Sequence, residues 1–553
     1  MPTEASGRAV VNLPTIPSVV RAAAEQFPTL EAVVEGSSRP TFADIAASVE
    51  LVERALIASA VQPGDRVGIW APNGLDWIVT SFAVYGVGGI LVPINTRYKG
   101  EEAAGLLRAA GVTMLFTVTD FLGTNYVALL NGLGGLDGLR ETVVMSGAVP
   151  EGSTSWSSFL ERAESVDPEE ARSRELAVGP DDPSDIIFTS GTTGLPKGAV
   201  LRHGASVETY LQWSKGVGLE EADRMLVIYP FFHTAGLKSG VLAAFLRGVT
   251  LVPHAVFEVQ SVVDRVAEER ITVLPGPPSI FQSLLNHPDF ASFLLDSLRL
   301  SVTGAAVVPV ELIARMKADL RLDTVITAYG LTETHGTVTI CEPSDSIETI
   351  ATTVGHPLDG LVLRIVDDDG NDQPTGDPGE VLVRGFNVMS EYFNAPDATA
   401  AAVDAGGWLR TGDVGYLGED GYLRIVDRKK DILIVGGFNV SAAEVESILL
   451  RRDDIAQVAV VAAPDERMGE VGAAFVVARS GRTVDPAEVV AWCRQQMANF
   501  KAPRYVHLVD ALPTNSTGKV QKPELRTRAN QLVRAGGEPR PEASRPTDKE
   551  TTP

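Results

Sequence analysis

The stretch Ile186-Ile-Phe-Thr-Ser-Gly-Thr-Thr-Gly-Leu-Pro-Lys-Gly198 joins a short apolar run to a loop of glycines, hydroxyls and one lysine. The apolar residues 186–188 are typical of a buried strand. Gly191 and Gly194 allow backbone N–H groups to approach an anion closely, while the hydroxyls and Lys197 add donors and positive charge. We therefore predict a phosphate-binding loop at a strand end, formed by Thr189, Ser190, Gly191, Thr192, Thr193, Gly194 and Lys197.

This loop differs from the P-loop of kinases and ATPases. Its spacing is G-x-x-G-x-x-K-G, whereas a P-loop reads G-x-x-x-x-G-K-[ST], and Gly198 occupies the place of the magnesium-binding hydroxyl. A plain surface turn is the alternative, but six successive hydroxyl or glycine residues with a lysine close behind exceed what a turn requires. The sequence therefore disfavours both a P-loop NTPase and a surface turn.

Short apolar runs alternate with helical periods on both sides of the loop, which predicts an α/β fold of parallel strands and crossover helices. Between residues 354 and 428, alternating strands with Asp-Gly turn signals predict a smaller β subdomain. From residue 432 an αβ pattern resumes. The predicted strands of the α/β part are residues 66–70, 90–94, 185–188, 224–229, 271–274 and 324–327.

The composition is that of a globular chain without nucleic-acid or membrane affinity. Its 553 residues are 44% hydrophobic and can form about two to four structural units. A formal net charge of −24 opposes binding to nucleic acid or anionic lipid. Cys341 and Cys493 lack zinc-site spacing and cannot form a disulfide scaffold. We expect a soluble cytoplasmic protein without signal peptide or spanning helix, and a disordered tail at residues 535–553.

Further motifs follow the loop in a fixed order. Together with it they resemble the adenylate-forming superfamily, which includes acyl-CoA synthetases, peptide-synthetase adenylation domains and luciferases. The resemblance extends from residue 42 to residue 526. The motifs are Tyr229-Pro-Phe-Phe-His-Thr-Ala-Gly236, Thr303-Gly-Ala-Ala306, Ala328-Tyr-Gly-Leu-Thr-Glu333, Trp408-Leu-Arg-Thr-Gly-Asp413, Asp427-Arg-Lys-Lys-Asp431, Gly436-Gly-Phe-Asn439 and Thr517-Gly-Lys519.

The resemblance implies a two-step ATP-dependent ligase. A carboxylate attacks the α-phosphate of MgATP to give acyl-AMP and pyrophosphate, and the thiol of coenzyme A then takes the acyl group. It also implies a large N-terminal adenylation domain at residues 1–427, with mixed and parallel sheets, flanking helices and the β subdomain. A hinge at residues 428–431, placed at Lys430, would join it to a small mobile α+β lid at residues 432–534.

Individual roles follow from the same resemblance. Tyr329 resembles the residue that stacks on adenine, and Asp413 the acceptor for both ribose hydroxyls. Glu333 resembles the Mg²⁺ ligand, a hard oxygen that suits this ion. Lys519 resembles the lysine that bridges carboxylate and α-phosphate in the adenylation step. The predicted catalytic residues are Thr189, His233, Glu333 and Lys519, and further ATP- or CoA-binding residues are Gly304, Ala305, Ala306, Tyr329, Gly330, Thr332, Asp413, Arg428, Gly436, Gly437 and Phe438.

The acid is predicted to be medium-sized or bulky. Relatives that activate acetate or propionate carry a tryptophan where this chain has Gly330. Several segments are similar to actinobacterial fatty-acid-type ligases, including those for the methylhexahydroindanedione propanoate of steroid-ring catabolism. A steroid-derived acid therefore stands beside medium-chain and aryl-alkanoic acids. The predicted acyl-site residues are His233, Thr234, Ala235, Gly236, Lys238, Pro278, Thr303, Gly330 and His335.

Two other functions stay open at this point: an adenylating enzyme that loads a carrier protein, and a nucleotide-binding regulator without turnover. The segment P-x-x-x-x-G-K that ends at Lys519 also resembles targets of lysine acetyltransferases that silence acyl-CoA synthetases. The sequence does not fix the oligomeric state, with a homodimer among the alternatives.

Overall fold

The computed structural model describes residues 13–134, 136–189, 196–304, 308–428, 431–435, 438–465, 468–497, 499–515 and 518–534. The predicted disordered tail, residues 535–553, lies outside these ranges. The chain divides into two compact units. The N-terminal unit comprises Met1–Thr411 and Gly415–Ile425, and the C-terminal unit comprises Gly412–Val414 and Val426–Pro553.

The first two helices of the N-terminal unit begin at capping threonines. Thr15 and Thr41 each accept a backbone N–H at the start of a helix, in capping boxes. The α-helices are α1 Ile16–Gln26, α2 Phe42–Ala58, α3 Leu75–Gly86, α4 Gly100–Ala110, α5 Tyr126–Asn131, α6 Trp156–Glu161, α7 Pro168–Ala177, α8 His203–Gly216, α9 Ala243–Arg247, α10 Val259–Glu269, α11 Pro278–Leu285, α12 Val310–Ala318, α13 Ile347–Thr352 and α14 Pro396–Ala402. Short 3₁₀ helices are Arg162–Ser165, Phe290–Ser292 and Thr332–Thr334, and Ala235–Leu242 is a π-helix.

The strands that begin in this unit are mostly short and buried. They are β1 Arg66–Trp70, β2 Ile90–Pro93, β3 Val112–Val118, β4 Glu141–Ser146, β5 Thr154–Ser155, β6 Pro183–Thr189, β7 Lys197–Arg202, β8 Arg224–Val227, β9 Thr250–Pro253, β10 Leu300–Gly304, β11 Thr324–Tyr329, β12 Thr339–Ile340, β13 His356–Pro357, β14 Val362–Val366, β15 Gly379–Arg384, β16 Glu391–Tyr392, β17 Leu409–Leu417 and β18 Leu423–Arg428.

The largest sheet has the strand order β16-β7-β6-β2-β1-β3-β4-β5. Strands β6, β2, β1, β3, β4 and β5 are paired in parallel, whereas β7 pairs antiparallel with β6, and β16 at the edge pairs antiparallel with β7. The parallel strands carry nearly continuous apolar residues because helices cover both faces. This arrangement confirms the predicted α/β class with mixed and parallel sheets.

A second sheet has the order β10-β11-β12-β13, with β10 and β11 parallel, and β8 pairs with β9 nearby. The predicted strand at 271–274 is not regular. Val273 forms only isolated parallel bridges, to Met225 and to Leu300. Hydrogen bonding to β10 reaches Gly276, whose N–H donates to the Val302 carbonyl over 3.1 Å, but Pro275, Pro277 and Pro278 have no backbone N–H to donate and interrupt a regular strand.

The β subdomain forms a four-stranded sheet in the order β14-β15-β17-β18, as its turn signals predict. The C-terminal unit has its own sheet, ordered β20-β19-β22-β21, in which β23 pairs with β22. Its elements are β19 Ile432–Val435, β20 Phe438–Ser441, β21 Ile455–Asp465, β22 Gly469–Ala478, β23 Tyr505–Leu508, α15 Ala442–Leu449, α16 Pro486–Gln496 and α17 Lys522–Arg534. A separate buried cluster around Val445, Val460 and Phe475 packs its helices onto the sheet.

Candidate active site

The predicted phosphate loop connects two paired strands. Strand β6 ends at Thr189, β7 begins at Lys197, and these two residues lie opposite each other in the antiparallel pair. The Thr189 hydroxyl donates to the Lys197 carbonyl over 3.4 Å. Residues 190–195 lie outside the described part, and with them the predicted Ser190, Gly191, Thr192, Thr193 and Gly194. The loop therefore starts and ends at the carboxyl end of β6.

Lys197, Tyr392 and Glu333 come together beside this loop. Strand β16 pairs with β7, and this pairing brings Tyr392 next to Lys197, whose ammonium lies 5.2 Å from the ring centroid. The Tyr392 hydroxyl donates to Glu333 Oε1 over 2.7 Å. Burial, with the adjacent Glu333 carboxylate as the second cause, raises the pKa of Tyr392, so its hydroxyl stays protonated at neutral pH.

Glu333 lies in the 3₁₀ turn Thr332–Thr334, next to the end of β11. The Glu333 carbonyl accepts the Met389 N–H over 2.8 Å, so both its main chain and its side chain contact the segment of β16. Thr334 closes the turn by donating to the Leu331 carbonyl. The turn thus places Glu333 next to Tyr392, whose ring also contacts Lys197.

His335 follows this turn in a left-handed conformation, with a φ of 57°. Its Nε2 accepts the Arg202 N–H over 3.0 Å, and its Nδ1 lies 2.7 Å from the Asn387 carbonyl. Burial lowers its pKa to about 4, so the ring is neutral and Nδ1 is the donor. The prediction that His335 binds the acid through its ring is not supported by this geometry, because both nitrogens already bond the main chain.

Two glycines allow close backbone contacts here. A Cβ atom on Gly330 would lie 2.3 Å from the Gly336 carbonyl oxygen, and one on Gly336 would lie 2.4 Å from the Tyr210 hydroxyl. The atoms nearest to Gly330 are main chain, so a side chain there is excluded unless the backbone moves, while Gly336 has a φ of 104° that favours glycine. The inference of an open acyl tunnel from Gly330 therefore needs correction, since the glycine is already required by the approach of residues 336–337.

The predicted acyl-site segment, residues 233–236, lies at the start of the π-helix. His233 is half-buried, and its Nδ1 accepts the Ala235 N–H over 3.2 Å. Gly236 is required because a Cβ atom there would lie 2.2 Å from the Pro230 carbonyl oxygen. Thr234 is buried, and a Cβ atom added to Gly336 would lie 3.1 Å from the Cβ of Thr234. The segment therefore packs directly against the chain that follows Glu333.

Lys238 is buried within the π-helix, with an exposed side-chain fraction of 1%. Its ammonium lies 2.5 Å from Asp185 Oδ2, on strand β6. Its charge is thus paired inside the protein, and these contacts give no support to a direct bond with the acid.

Strands β10 and β11 supply the remaining predicted residues of this unit. A Cβ on Gly304 would lie 3.0 Å from the Ala328 carbonyl oxygen, so the two strand ends lie close together. Ala305 and Ala306 lie outside the described residues. Tyr329 is half-buried at the end of β11, in contact with the cluster that includes Ile187 and Val338. Pro278 is buried at the start of α11, and Thr303 is buried in β10 with no partner for Oγ1 among the described residues.

Other predicted residues belong to the C-terminal unit. Asp413 is buried in β17, with 2% of its surface exposed. Lys519 is exposed in a turn, where its N–H donates to Asn515 Oδ1 over 2.8 Å. The pairing of Thr514 with Val520 closes this turn. Lys430, Gly436 and Gly437 and the side chains of Arg428 and Phe438 lie outside the described part.

Comparison with known families decides the identity of the chain. The model of the AMP-binding enzyme family matches residues 20–393, and the model of the AMP-binding enzyme C-terminal domain matches residues 444–519. The chain belongs to the AMP-binding enzyme family. The second match ends at Lys519, and the first covers the site residues of the N-terminal unit.

Relatives of this AMP-binding enzyme include CoA ligases that act on polycyclic acids. It is 46% identical to the 3-[(3aS,4S,7aS)-7a-methyl-1,5-dioxo-octahydro-1H-inden-4-yl]propanoyl:CoA ligase of Mycobacterium tuberculosis, over 93% of this chain and 99% of that protein. The ligase of the same name from Rhodococcus jostii is also 46% identical, over 93% of this chain and 98% of that protein. Among solved structures, an anthranilate CoA ligase in complex with anthranoyl-AMP matches with a TM-score of 0.85 and 27% identity, over 94% and 98% of the two chains.

These matches confirm the predicted superfamily, the fold class and an AMP-forming acyl-CoA ligase as the enzyme class. As a member of this family the enzyme uses ATP, a carboxylic acid and CoA. No helix among the described residues is long and apolar enough to cross a bilayer.

Two residues that hold the site together were missed by sequence reasoning. Asn73 is buried, and its Nδ2 donates to the carbonyls of Val227 and Tyr229 while its Oδ1 accepts the Phe231 N–H. It thereby fixes the chain that leads to His233. Tyr392 is the second. Asn73 could be found from the sequence as a polar residue that follows the buried strand β1. Tyr392 gives no such signal, because it reaches the site only through the pairing of β16 with β7.

Proposed function

We propose that this AMP-binding enzyme activates a propanoic acid carried on a methyl-substituted bicyclic dione, a steroid-ring fragment, and transfers it to CoA. The single observation that carries the proposal is the 46% identity to two ligases named for that acid, across nearly the full length of all three chains. These two matches extend over 93% of this chain and name one acid, whereas family membership alone does not fix the acid.

The proposed reaction has two displacements. A carboxylate oxygen of the acid attacks the α-phosphorus of ATP, the bond to the β-phosphate oxygen breaks, and pyrophosphate leaves. The sulfur of CoA then attacks the acyl carbonyl carbon, the bond to the AMP oxygen breaks, and AMP leaves while the thiol proton passes to solvent. We assign the first step to Lys519, whose positive charge stabilises the charge that develops between the carboxylate and the α-phosphate.

ATP binding is assigned to the loop at the carboxyl end of β6 and to the residues that the family resemblance names. The loop of residues 189–197 would bind the phosphates, with Lys197 as the cation. Tyr329 would stack on adenine next to Gly304, Ala305 and Ala306, while Asp413 and Arg428 would contact the ribose and phosphate. The position of Lys197 at the end of the loop supports the assignment of phosphate binding. The close approach of β10 to β11, which carry Gly304 and Tyr329, supports the assignment of adenine binding.

A magnesium ion fits the donors that are present. The Glu333 carboxylate provides hard oxygens, of which Oε1 already accepts from Tyr392. Among the described residues, no group of three or more His, Cys, Asp or Glu side chains is arranged to hold a metal. Glu333 would thus hold Mg²⁺ together with phosphate oxygens, and the ion would neutralise phosphate charge. Lys197 adds a further positive charge on the same side.

CoA binding and regulation belong to the C-terminal unit in this proposal. Gly436, Gly437 and Phe438 would flank the pantetheine arm. Lys519 is exposed, which makes its ammonium accessible to a lysine acetyltransferase, and acetylation would remove the charge needed for adenylation. Full adenylation activity of enzyme acetylated at Lys519 would contradict this regulatory role. A homodimer stays a prediction, which the mass in solution tests.

A panel of acids tests the proposed function. Purified enzyme is given ATP, Mg²⁺, CoA and the bicyclic propanoate, octanoate, indoleacetate or acetate, and the CoA thioester and AMP are quantified. We expect the highest kcat/KM with the bicyclic acid and the lowest with acetate. Replacing CoA by a pantetheinylated carrier protein should give little thioester. A preference for octanoate or indoleacetate would overturn the assigned acid, and transfer to the carrier alone would overturn the acceptor.

A further inference from the structure

A buried polar cluster lies behind the site, and it consists of Tyr85, Ser184, Asp185, His203 and Lys238. Asp185 is fully buried and accepts from three side chains. The Ser184 hydroxyl donates to Oδ2 over 2.6 Å, Lys238 Nζ lies 2.5 Å from the same oxygen, and the Tyr85 hydroxyl donates to Oδ1. Each of these three side chains is therefore a donor to the carboxylate.

The Lys238–Asp185 ion pair is isolated from solvent. The exposed side-chain fractions are 1% for Lys238 and 0% for Asp185, and the Lys238 ammonium lies 5.1 Å from the centroid of the Tyr85 ring. His203 packs edge-on against Tyr85, and neither of its ring nitrogens has a hydrogen-bond partner within the described part of the chain. Burying two charges is costly, and an apolar pair of similar volume often serves stability as well. Stability alone therefore does not account for this pair.

The pair connects the two segments that must bring the reactants together. Asp185 lies on β6, four residues before Thr189, where the phosphate loop begins. Lys238 lies in the π-helix, whose first residues follow His233 and Thr234. Asp185 is held in the middle of the largest sheet, since Leu91 of β2 pairs with it. The position of the π-helix is thus tied to a rigid strand.

The π-helix is adapted to this contact. Gly240, two residues after Lys238, lies so close to β8 that a Cβ atom would be 2.9 Å from Val227 Cγ1. The Ser239 hydroxyl donates to the Ala235 carbonyl over 2.5 Å, within the segment predicted to face the acid. Wide π-type turns are uncommon and often mark functional sites. The residues on both sides of Lys238 are thus held to one another and to β8.

We propose that Lys238 is a positioning residue: by its ion pair with Asp185 it holds the acid-binding segment at residues 233–236 in register with the end of β6, where the phosphate loop begins. This inference rests on the proposed function, because it requires that segment to face the acid. It assigns no contact between Lys238 and substrate. The carboxylate and the α-phosphate must approach within reacting distance, and small misplacements of either partner have large effects on rate.

The test is the double variant Asp185→Asn/Lys238→Met. The introduced asparagine keeps Oδ1 as an acceptor for Tyr85 and places its Nδ2 as a donor towards the Ser184 oxygen, the introduced methionine keeps the volume of the lysine stem, and no unpaired charge stays buried. Pyrophosphate release is measured with acid and ATP varied in turn, together with the melting temperature. We expect the KM for the acid to rise roughly ten-fold, the KM for ATP to change less than about two-fold, and the variant to stay folded.

A second ion pair provides the matched control. Arg299 bonds to both carboxylate oxygens of Asp223, in the region where β8 and β10 begin rather than end. Asp223→Asn/Arg299→Met is expected to lower the melting temperature and to leave the KM for the acid unchanged. Should both double variants raise that KM equally, the effect would be general destabilisation and the positioning role would be overturned.

Further outcomes are distinguishable. Unchanged KM for the acid in a folded Asp185→Asn/Lys238→Met enzyme overturns the proposal, and so does an equal rise of both KM values. If that variant does not fold, Tyr85→Phe is the second test, because it removes one donor to Asp185 and keeps the ring. The KM for the acid is then expected to rise about two-fold or more, without change in the KM for ATP. No rise in the KM for the acid overturns the inference. The KM values are measured with whichever acid of the panel the wild-type enzyme accepts, so rejection of the bicyclic acid overturns only the proposed function.

Discussion

The Tyr392 hydroxyl donates to Glu333 Oε1 over 2.7 Å, and this bond joins the edge strand β16 to the turn that follows β11. Two parts of the chain 59 residues apart are thereby fixed at the side of the site where Lys197 lies. Because burial and Glu333 raise the pKa of Tyr392, the hydroxyl remains a donor at all physiological pH values. One carboxylate oxygen is held by the protein, which orients the other.

Tyr392→Phe should weaken the use of MgATP. The variant removes one hydrogen bond to a charged carboxylate, worth about 1.5 kcal/mol or more, so the KM for MgATP should rise roughly ten-fold. Pyrophosphate release at varied Mg²⁺ and ATP measures the effect. Tyr422→Phe is the control, since Tyr422 of the β subdomain donates to Asp345, which precedes α13. An unchanged KM for MgATP in Tyr392→Phe would show that the hydrogen bond from Tyr392 does not affect how Glu333 binds the metal.

Lys519→Ala should nearly abolish acyl-AMP formation and spare thioester formation from supplied acyl-AMP. One charged donor that acts in the transition state contributes about 3 to 4 kcal/mol, a loss of several hundred-fold in rate. Each half-reaction is measured separately. Lys501→Ala is the control because Lys501 is paired with Glu444 on the same unit and carries no predicted role. Equal losses in both half-reactions of Lys519→Ala would contradict the assignment.

Gly330→Ala should destabilise the N-terminal unit. The added Cβ atom would lie 2.3 Å from the Gly336 carbonyl oxygen and 2.6 Å from Thr337 Cα, so main chain has to move, at a cost of about 1 to 3 kcal/mol. Gly105→Ala is matched to it, because Gly105 lies within α4 with nothing within 4 Å of the added atom. That change should stabilise by up to about 1 kcal/mol. A similar melting temperature for both variants would show that residues 336–337 adjust freely.

The fold was predictable from the sequence because buried parallel strands leave continuous apolar runs. The contacts that complete the site leave weaker traces. Tyr392 lies on a strand of two residues, whose partner β7 ends 189 positions earlier. Lys238 reads as a polar contact for the acid until Asp185 is seen beside it. Gly330 reads as an open tunnel, since sequence does not reveal which backbone approaches a glycine.

His203→Phe should make the free energy of unfolding depend less steeply on pH under acid conditions. Burial lowers the pKa of His203 from 6.5 to about 3, with Asp185 opposing and Lys238 adding to the shift. The unfolded chain therefore binds this proton first, so the free energy of unfolding falls as pH decreases from 6.5 towards 3. Each pH unit in that window costs about 1.4 kcal/mol for this one group.

Urea unfolding of the wild type and of His203→Phe, from pH 8 to pH 4, measures this slope. At pH 8 the two proteins differ only in packing, which serves as the internal reference. Below pH 6.5 the variant should lose stability less steeply, by about 1.4 kcal/mol per unit. Parallel profiles over the whole range would mean that His203 is not buried as a neutral ring.

Lys430→Pro should separate the two half-reactions. Asp427 accepts the Ser441 hydroxyl and the Ala443 N–H, each over 3.1 Å, and Asp431 accepts from Arg526 over 2.9 Å, so residues on both sides of the predicted hinge are anchored within the C-terminal unit. Rotation about residue 430 has to release the Asp427 bonds. Proline fixes φ near roughly −65° and allows one orientation only. In Lys430→Pro, acyl-AMP formation should stay within about two-fold of wild type while thioester formation slows at least roughly ten-fold. Lys430→Ala is the control, because alanine keeps the backbone N–H and the rotation about φ, and it should leave both rates unchanged. Equal rates of both half-reactions in Lys430→Pro would show that the pivot lies at another residue. The next position to substitute is then the chain just before Val426, because the bonds of Asp427 tie the residues after it to the C-terminal unit.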